Sequence, residues 1–295
     1  MKFGPSPFTY EFVIDIMSSS GLEALSSFSM TKYVQNAVHQ GFNHFDIALD
    51  IFQTFPIPIH DEDLEKLHKL KTQANITYSC HLPFLSLDLA GPNQFIREGS
   101  IAAIVDIYNR MRDLESEIDY FVLHPIGETT TEILRFIDDS NIKSFAVEMF
   151  RQYAIQSVNS FLEITGVNPA KIAIENLEFP LKPTLEIIKE TNTRFCLDTA
   201  HLLGGQAGSW DLMEVLTENY HLLSVIHLQE YDFNNIMSDH AALGNANQIS
   251  AEFFEFLNTQ KYTGPLVFEL PDNDIRKSCD YIKNIYPNLQ GLPHF

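Results

Sequence analysis

The sequence predicts an α/β fold, a single (β/α)8 TIM barrel that spans residues 1–295. Strand-like and helix-like segments alternate over eight units, which favours a closed barrel over an open sheet. The strand candidates are near-continuous apolar runs, such as FVLH, KIAIE, LLSVIH and LVFE. Such runs are typical of a parallel sheet that is buried on both faces. The chain also exceeds the roughly 250 residues of an ordinary barrel, and no linker or composition shift divides it.

The elements are predicted from these runs and from signals at the helix ends. The expected strands are residues 2–4, 43–49, 76–80, 119–123, 171–174, 194–197, 222–226 and 265–268. The expected helices are residues 33–39, 61–71, 94–111, 131–138, 153–165, 181–190, 210–219, 251–259 and 274–286. The first of these helices ends just before Gly41, a good C-terminal cap. The helix at 61–71 begins with acidic residues and ends with basic ones, as the helix dipole favours.

The charge of the chain excludes some classes of partner. The formal net charge is −20. The segments 82–92, 125–131, 199–209 and 228–250, which follow predicted strands, contain no Lys or Arg. Because nucleic-acid affinity depends on basic residues that neutralise phosphates, we expect no nucleic-acid partner. A strongly multi-anionic substrate is excluded on the same ground, and we expect a small-molecule substrate, with the oligomeric state left open.

Other bulk features indicate a cytoplasmic protein. No apolar stretch of about 18 residues suggests a membrane span, and the N-terminus does not resemble a signal peptide. The three cysteines, Cys80, Cys196 and Cys279, form no close-spaced motif. An odd number of unpaired cysteines is typical of reduced thiols in the cytosol.

Eight potential metal ligands lie at or after the C-terminal ends of predicted strands. They are His81, His124, Glu175, Asp198, His201, His227, His240 and Glu269. A barrel of parallel strands brings its strand ends to one face, so these side chains should meet there. Imidazoles and carboxylates together are the ligands that a divalent cation requires. The pattern therefore predicts a metal enzyme.

Each ligand also has a plainer interpretation. Glu175, Asp198 and Glu269 could each be a carboxylate that is hydrogen-bonded to a loop, but three at equivalent positions favour metal binding. His81 and His124 both precede proline, which keeps the preceding residue extended at the strand end. Either could be a packing histidine, and their repetition on successive strands favours ligation.

Two further histidines have open alternatives. The Asp198-x-x-His201 motif fits a pair of ligands or a helix cap followed by a core histidine. His240 lies in the long polar loop 228–250 and is either a ligand that reaches back over the site or a solvated side chain. Loops of about 20 residues are usually functional or disordered.

The order of these residues resembles that of the xylose-isomerase-like TIM barrels, which include endonuclease IV and the sugar isomerases and epimerases. The resemblance runs from about residue 76 to the C-terminus. It implies that all eight residues bind metal, that one to three ions of Zn, Mn, Fe or Co are held, and that Glu175, Glu269 and His201 are catalytic. One position departs from the family's loop motif Asp-x-His, because Ser238 stands where the Asp is expected, next to Asp239.

Within that superfamily, the motifs CHLPF, ENLEFP, CLDTAHLL, HLQ and SDHAAL resemble those of the cobamide-remodelling phosphodiesterases. HLQ stands where HLH is expected. The resemblance implies a metal-dependent phosphodiesterase that acts on a small phosphodiester, such as the nucleotide loop of a cobamide, and not on DNA.

Two other functions are alternatives to this one. The alternative activity is that of a sugar isomerase or epimerase, with one ion held by Glu175, Asp198, His227 and Glu269. In that enzyme the two glutamates would move protons at adjacent carbons. A degenerate barrel that only binds a partner would lack ligands, and this sequence has a nearly complete set.

Overall fold

Eight parallel strands, each followed by helical structure, form the predicted barrel. The structure is a computed structural model that describes residues 1–8, 10–21, 23–26, 28–55, 57–234 and 240–294. The strands are β1 (Lys2–Pro5), β2 (His44–Ala48), β3 (Thr77–His81), β4 (Ile118–Leu123), β5 (Ile172–Glu175), β6 (Arg194–Asp198), β7 (Leu223–His227) and β8 (Pro265–Phe268). Each lies within two residues of its predicted bounds, so the fold prediction is confirmed.

The helices surround the barrel. They are α1 (Tyr10–Ser20), α2 (Glu23–Ser26), α3 (Met30–His39), α4 (Ile51–Thr54), α5 (Asp61–Ala74), α6 (Gln94–Arg110), α7 (Glu128–Arg135), α8 (Ser140–Thr165), α9 (Leu181–Thr191), α10 (Thr199–Leu203), α11 (Leu212–Asn219), α12 (Ala251–Thr259) and α13 (Asp272–Ile285). Short 3-10 helices occupy Arg112–Glu117 and Pro169–Lys171.

The short helices α2, α4 and α10 were not predicted, and α7 begins and ends three residues before its predicted bounds. Two longer helices differ most from the sequence prediction. The helix expected at 153–165 begins at Ser140, where the Asp139 side chain accepts hydrogen bonds from two backbone N–H groups of the first turn. Its first half was missed because Ile142 and Phe145 are 59% and 72% exposed, which obscures the amphipathic pattern. The helix α1 was not predicted; it ends in three serines, which are poor helix formers.

The sheet order fixes which strand ends become neighbours. The strands pair in the order β1-β8-β7-β6-β5-β4-β3-β2, and every ladder is parallel. In the ladder registers, Asp198 lies opposite His227 and Glu175 lies opposite Cys196. Parallel strands end on one face of a barrel, and the predicted ligands therefore converge there.

The interior of the barrel is apolar on one side. Val122, Ala173, Cys196, Val225 and Val267, from the strands β4 to β8, form a separate buried cluster of small side chains. These residues precede the candidate ligands by two positions on the same strands, so they lie one layer below them. Small residues filling the barrel interior are the usual packing of this fold.

The interior on the other side, between β1 and β3, is polar. The His44 ring nitrogens Nδ1 and Nε2 each lie 2.8 Å from a hydroxyl oxygen, those of Thr77 and Ser79. Ser79 donates a hydrogen bond to Asp46 Oδ1 at 2.5 Å, and Ser6 donates one to Asp46 Oδ2 at 2.8 Å. Burial lowers the pKa of His44 well below its usual value, so its ring is neutral. The apolar strand patterns did not predict this network.

Side chains and one glycine close the seam between β1 and β2. No ladder joins these two strands in the part of the chain that the structure describes. Instead, Phe3 N–H donates a hydrogen bond to Asn43 Oδ1 at 2.7 Å. At Gly4 the backbones approach so closely that a Cβ atom would lie 2.7 Å from the His44 carbonyl oxygen. The seam therefore requires glycine at this position.

We expect the Gly4→Ala substitution to destabilise the protein by about 1–3 kcal/mol, the usual cost of overpacking a filled interior. The matched control is Gly99→Ala in α6, where an added Cβ meets nothing within 4 Å. Alanine should stabilise that helix by about 0.5–1 kcal/mol. Urea denaturation of both variants measures the difference. Equal stability of Gly4→Ala and the wild type would contradict the role of the seam.

Candidate metal centre

All eight predicted ligands meet at the C-terminal face of the barrel. His81, Glu175, Asp198 and His227 are the last residues of their strands. The other four follow a strand: His124 after β4, His201 in α10, His240 in the loop after β7, and Glu269 after β8. Ser238 and Asp239, of the predicted loop motif, lie outside the described residues.

The Glu175 carboxylate is the centre of the cluster. Its Oε2 lies 3.2 Å from His81 Nε2 and 3.1 Å from His124 Nε2. Its Oε1 lies 3.4 Å from His201 Nδ1 and 3.5 Å from His227 Nδ1. The Glu175 side chain is only 2% exposed. One buried carboxylate thus faces four imidazoles, two on each oxygen.

His227, Asp198 and Glu269 form the second half of the cluster. His227 Nδ1 lies 3.2 Å from Glu269 Oε2 and 3.8 Å from Asp198 Oδ2. His227 is fully buried, yet neither ring nitrogen has a hydrogen-bond partner among the described residues. Native structures rarely leave such atoms unsatisfied unless an ion or water completes the site. The donor set therefore fits a divalent cation.

His240 is the outermost of the eight. Its Nε2 lies 3.5 Å from Glu269 Oε2, and its side chain is 43% exposed. Both of its predicted interpretations, ligand and solvated loop residue, remain compatible with this position.

Backbone carbonyls decide which nitrogen of two histidines carries a proton. His81 Nδ1 lies 3.0 Å from the carbonyl oxygen of Leu82, and His201 Nδ1 lies 3.0 Å from that of Asn176. A carbonyl can only accept, so each Nδ1 donates. When neutral, His81 therefore presents the lone pair of Nε2 to a Glu175 oxygen. That contact is stable only if Nε2 is protonated or a cation lies between the two atoms.

The pKa shifts agree with this description of the metal-free site. Burial alone would lower the pKa of His81, but the hydrogen bond to Glu175 and its charge raise that pKa to about 9. Burial likewise opposes protonation of His201, and the charge of Asp198 and the hydrogen bond to Glu175 raise its pKa to about 9. Burial would raise the pKa of Glu175, yet the surrounding imidazoles hold it well below its usual range. Protons on His81 and His201 can therefore supply countercharge in the metal-free site, whereas burial lowers the pKa of His124 and favours its neutral ring.

Two residues that sequence reasoning missed hold the ligands in place. The Gln229 side-chain amide donates to Asp198 Oδ2 at 2.8 Å and to Glu269 Oε2 at 3.2 Å. The Asn176 side chain accepts from the backbone N–H of Asp198 and donates to its carbonyl, both at 2.9 Å. Each follows a ligand closely in sequence, in IAIEN and HLQ, and that adjacency was the available signal.

A cleft opens from the cluster to solvent. Its cavity volume is about 240 Å³, below the roughly 300 Å³ at which pockets for drug-sized ligands begin. Phe84, Leu85, Ile126 and Leu177 form its apolar wall. Its lining includes no Lys or Arg among the described residues. Glu178, which lines the cleft, pairs with Arg135 of α7.

Three buried carboxylates fix the loops around this cleft by accepting hydrogen bonds from backbone N–H groups. They are Asp50, which holds residues 84 and 85, Asp88, which holds residues 127 and 130, and Glu230, which holds residues 246–249. Glu230 alone accepts four such bonds, at 2.8–3.2 Å. Bonds of this kind to a charged acceptor are stronger than neutral ones.

We expect the chelator-treated protein to lose stability as the pH rises from about 6.5 to 9. His81 and His201 have folded-state pKa values of about 9, above the ordinary histidine value of 6.5. Their stabilisation is complete below pH 6.5 and is lost as the pH rises through 9. The Tm should fall by several degrees, since 1 kcal/mol corresponds to about 2–4 °C in a chain of this size.

Melting curves in EDTA across this range measure the effect, with the His81→Gln variant as control. The variant should show a smaller fall because it lacks one of the histidines whose pKa is raised in the folded protein. A Tm that is constant from pH 6.5 to 9 in the wild type would show that these histidines bind no extra proton.

The chain is similar to solved structures of epimerases and of a nuclease. A D-tagatose 3-epimerase-like protein has a TM-score of 0.64 at 19% identity, with 97% of each chain covered. Endonuclease IV from Thermus thermophilus has a TM-score of 0.66 at 16% identity, covering 96% of this chain and 100% of that one. A 3-keto-D-glucoside 4-epimerase from E. coli has a TM-score of 0.61 at 13% identity, covering 97% of this chain and 99% of that one. At these identities the similarity shows the fold.

No curated protein matches the sequence significantly. The described residues contain no helix that is both long and apolar enough to cross a membrane. A family model described as a xylose isomerase-like TIM barrel matches residues 34–285. Since this match covers most of the chain, the protein belongs to the xylose isomerase-like TIM barrel family.

Proposed function

We propose that the protein is a divalent-metal-dependent phosphodiesterase that hydrolyses a small phosphodiester. The observation that carries this proposal is the position of Glu175 between two groups of ligands. Its Oε2 faces His81 and His124, and its Oε1 faces the group that contains His227. A carboxylate with both oxygens directed to different ligand groups suits a bridge between two ions. Paired ions are typical of phosphodiester hydrolysis.

Bound Zn, Mn, Fe or Co ions would polarise the phosphoryl group and lower the pKa of a bound water. Glu175, Asp198, His227 and Glu269 would hold one ion, and His81 and His124 would hold a second together with Glu175. His240 is exposed enough to approach a third ion or the substrate.

The chain's own acid and base groups lie beside the reacting position. Imidazole charges hold the pKa of Glu269 well below its usual range despite its burial, which favours the uncharged acid. Glu269 is therefore ionised, the form in which a carboxylate can bind an ion or accept a hydrogen bond from a water molecule. His201 lines the cleft, and the hydrogen bond of its Nδ1 to the Asn176 carbonyl fixes the orientation of the ring. We assign Glu175, Glu269 and His201 as the catalytic residues.

The cleft favours a substrate with one phosphodiester and little other negative charge. Glu128 and Glu178 line it, and Lys and Arg are absent from its described lining. A DNA-binding surface needs several phosphate contacts from basic residues. A single phosphodiester needs only the charge of the ions, so DNA is the less suitable substrate.

The resemblance to cobamide-remodelling phosphodiesterases makes the nucleotide loop of a corrinoid the first substrate to test. The small cleft admits the phosphodiester, and the corrin ring would remain outside. Tyr231 and Phe233, in the loop after β7, form an edge-on ring pair with centroids 4.8 Å apart, and Phe233 is 69% exposed. Exposed aromatic side chains are suited to contact with a large uncharged body. Met237, in the same loop, lies outside the described residues.

A sugar isomerase or epimerase with one ion is the second candidate. Glu175, Asp198, His227 and Glu269 alone provide four ligands, and Gln229 fixes two of them. A neutral sugar would also suit a cleft whose described lining has no Lys or Arg.

We expect the protein, purified anaerobically from its own host, to contain two or more divalent ions per chain. His81→Ala and His124→Ala should each lose about one ion and remain folded, because only the second ligand group is damaged. The matched control is His44→Ala, which removes a barrel histidine bound to Thr77 and Ser79. That variant should lose stability and keep its metal content. One ion per wild-type chain, with His81→Ala and His124→Ala unchanged, would favour the isomerase.

We expect hydrolysis of a cobamide or another small phosphodiester, little cleavage of abasic duplex DNA and no epimerisation of ketoses. Each substrate is assayed with added Zn²⁺, Mn²⁺ or Co²⁺, beside the Glu175→Gln variant. That variant should lose at least about 100-fold in kcat/KM, since it removes the bridging charge. Robust DNA cleavage would refute the charge argument. Epimerisation without phosphodiester hydrolysis would establish the second candidate.

A further inference from the structure

Among the described residues, the His124 ring lacks the hydrogen bond to a backbone carbonyl that fixes the rings of His81 and His201. A metal-binding histidine usually donates its second N–H to a carbonyl or carboxylate, which sets the orientation of the ring. His81 and His201 donate in this way to backbone carbonyls. Among the described residues, His124 hydrogen-bonds only to Glu175, through Nε2. Something else must therefore hold the His124 ring.

The Phe84 ring lies against the His124 ring and can hold it in place. Phe84 stacks on His124 with the ring centroids 4.4 Å apart and the planes inclined by 27°. It also meets His81 edge-on at 5.3 Å. Both are histidines that face Glu175 Oε2. Phe84 is 38% exposed and lines the cleft, so the ring is a cover over this ligand group and not a member of the buried core.

A buried carboxylate fixes the backbone under this ring. Asp50 lies at the start of α4 and is 4% exposed. Its carboxylate accepts hydrogen bonds from Phe84 N–H at 3.2 Å and from Leu85 N–H at 3.1 Å. Charge-assisted hydrogen bonds therefore attach the loop that carries Phe84 to the barrel and restrict its motion.

We propose that Phe84 is the positioning residue of His124 and that Asp50 fixes Phe84 in turn. The stacked ring restricts rotation of the imidazole, as a second hydrogen bond does for His81 and His201. This inference rests on the proposed function, because the ligand group that Phe84 orients is the one assigned to the second ion. Without the ring, His124 gains rotational freedom, and binding of the second ion must then restrict it.

Metal titration of the chelator-treated protein tests the proposal, with Zn²⁺ as the probe and a competing chromophoric chelator. Phe84→Leu should lower the affinity for the second ion by about 10-fold. Removing the group that orients a metal ligand has an effect of this size. The first ion should bind as in the wild type. Phe84→Tyr keeps a stacked ring and should restore the wild-type affinity. The matched control is Leu85→Ala: Leu85 belongs to the same loop and is 39% exposed, but carries no ring.

Equal affinity for the second ion in Phe84→Leu and the wild type would overturn the proposal. An equal loss in Leu85→Ala would also overturn it, because the effect would then belong to the loop as a whole. A second readout is the NMR relaxation of the His124 imidazole in metal-free protein, where Phe84→Leu should increase ring motion and Phe84→Tyr should not. If the wild type binds a single ion, the proposed function fails, and ring motion alone decides the role of Phe84.

Discussion

The candidate centre depends on one constraint: the Glu175 carboxylate is buried and needs positive charge on both oxygens. An isolated carboxylate in such a position would be very costly. Four imidazoles face this carboxylate, two on each oxygen, and the raised pKa values of His81 and His201 let protons supply positive charge there. Because the Leu82 carbonyl fixes the proton of His81 on Nδ1, the other nitrogen can meet the carboxylate only through a proton or a cation. Metal binding and protonation are therefore alternatives at the same atoms.

Several acidic residues that are not candidate ligands have a structural role. The net charge of −20 suggests a surface of repelling carboxylates, but several acids are buried and bound to backbone N–H groups. Asp50, Asp88 and Glu230 each attach a loop of the C-terminal face to the barrel. Backbone donors satisfy these carboxylates without Lys or Arg, so the loops can be held while the cleft keeps its lack of basic residues.

The sequence predicted the fold and the convergence of the eight candidate ligands for one physical reason. In a parallel barrel each strand is an apolar run, and the polar residue that ends the run lies on the common face, so position along the chain translates directly into position in space. Gln229, Asn176 and Phe84 could not be predicted in this way, because their roles depend on partners from other strands and loops. The polar network around Asp46 was not predicted for the same reason, because its hydroxyl partners come from other parts of the chain.

The two groups of candidate ligands differ in the residues that pack beneath and around them. Beneath the group of Asp198, His227 and Glu269 lies the packed layer of small apolar side chains, and Gln229 connects two of its carboxylates. Such packing is dense and leaves little freedom. The group of His81 and His124 lies where the two sides of the barrel meet, because His81 follows Ser79 of the polar network and His124 follows Val122 of the apolar layer. The ring of Phe84, on the loop after β3, stacks on His124. The loop after β3 therefore supports the second ligand group and not the first. An enzyme that needs one ion requires only the rigid group, whereas hydrolysis at two ions requires the loop as well.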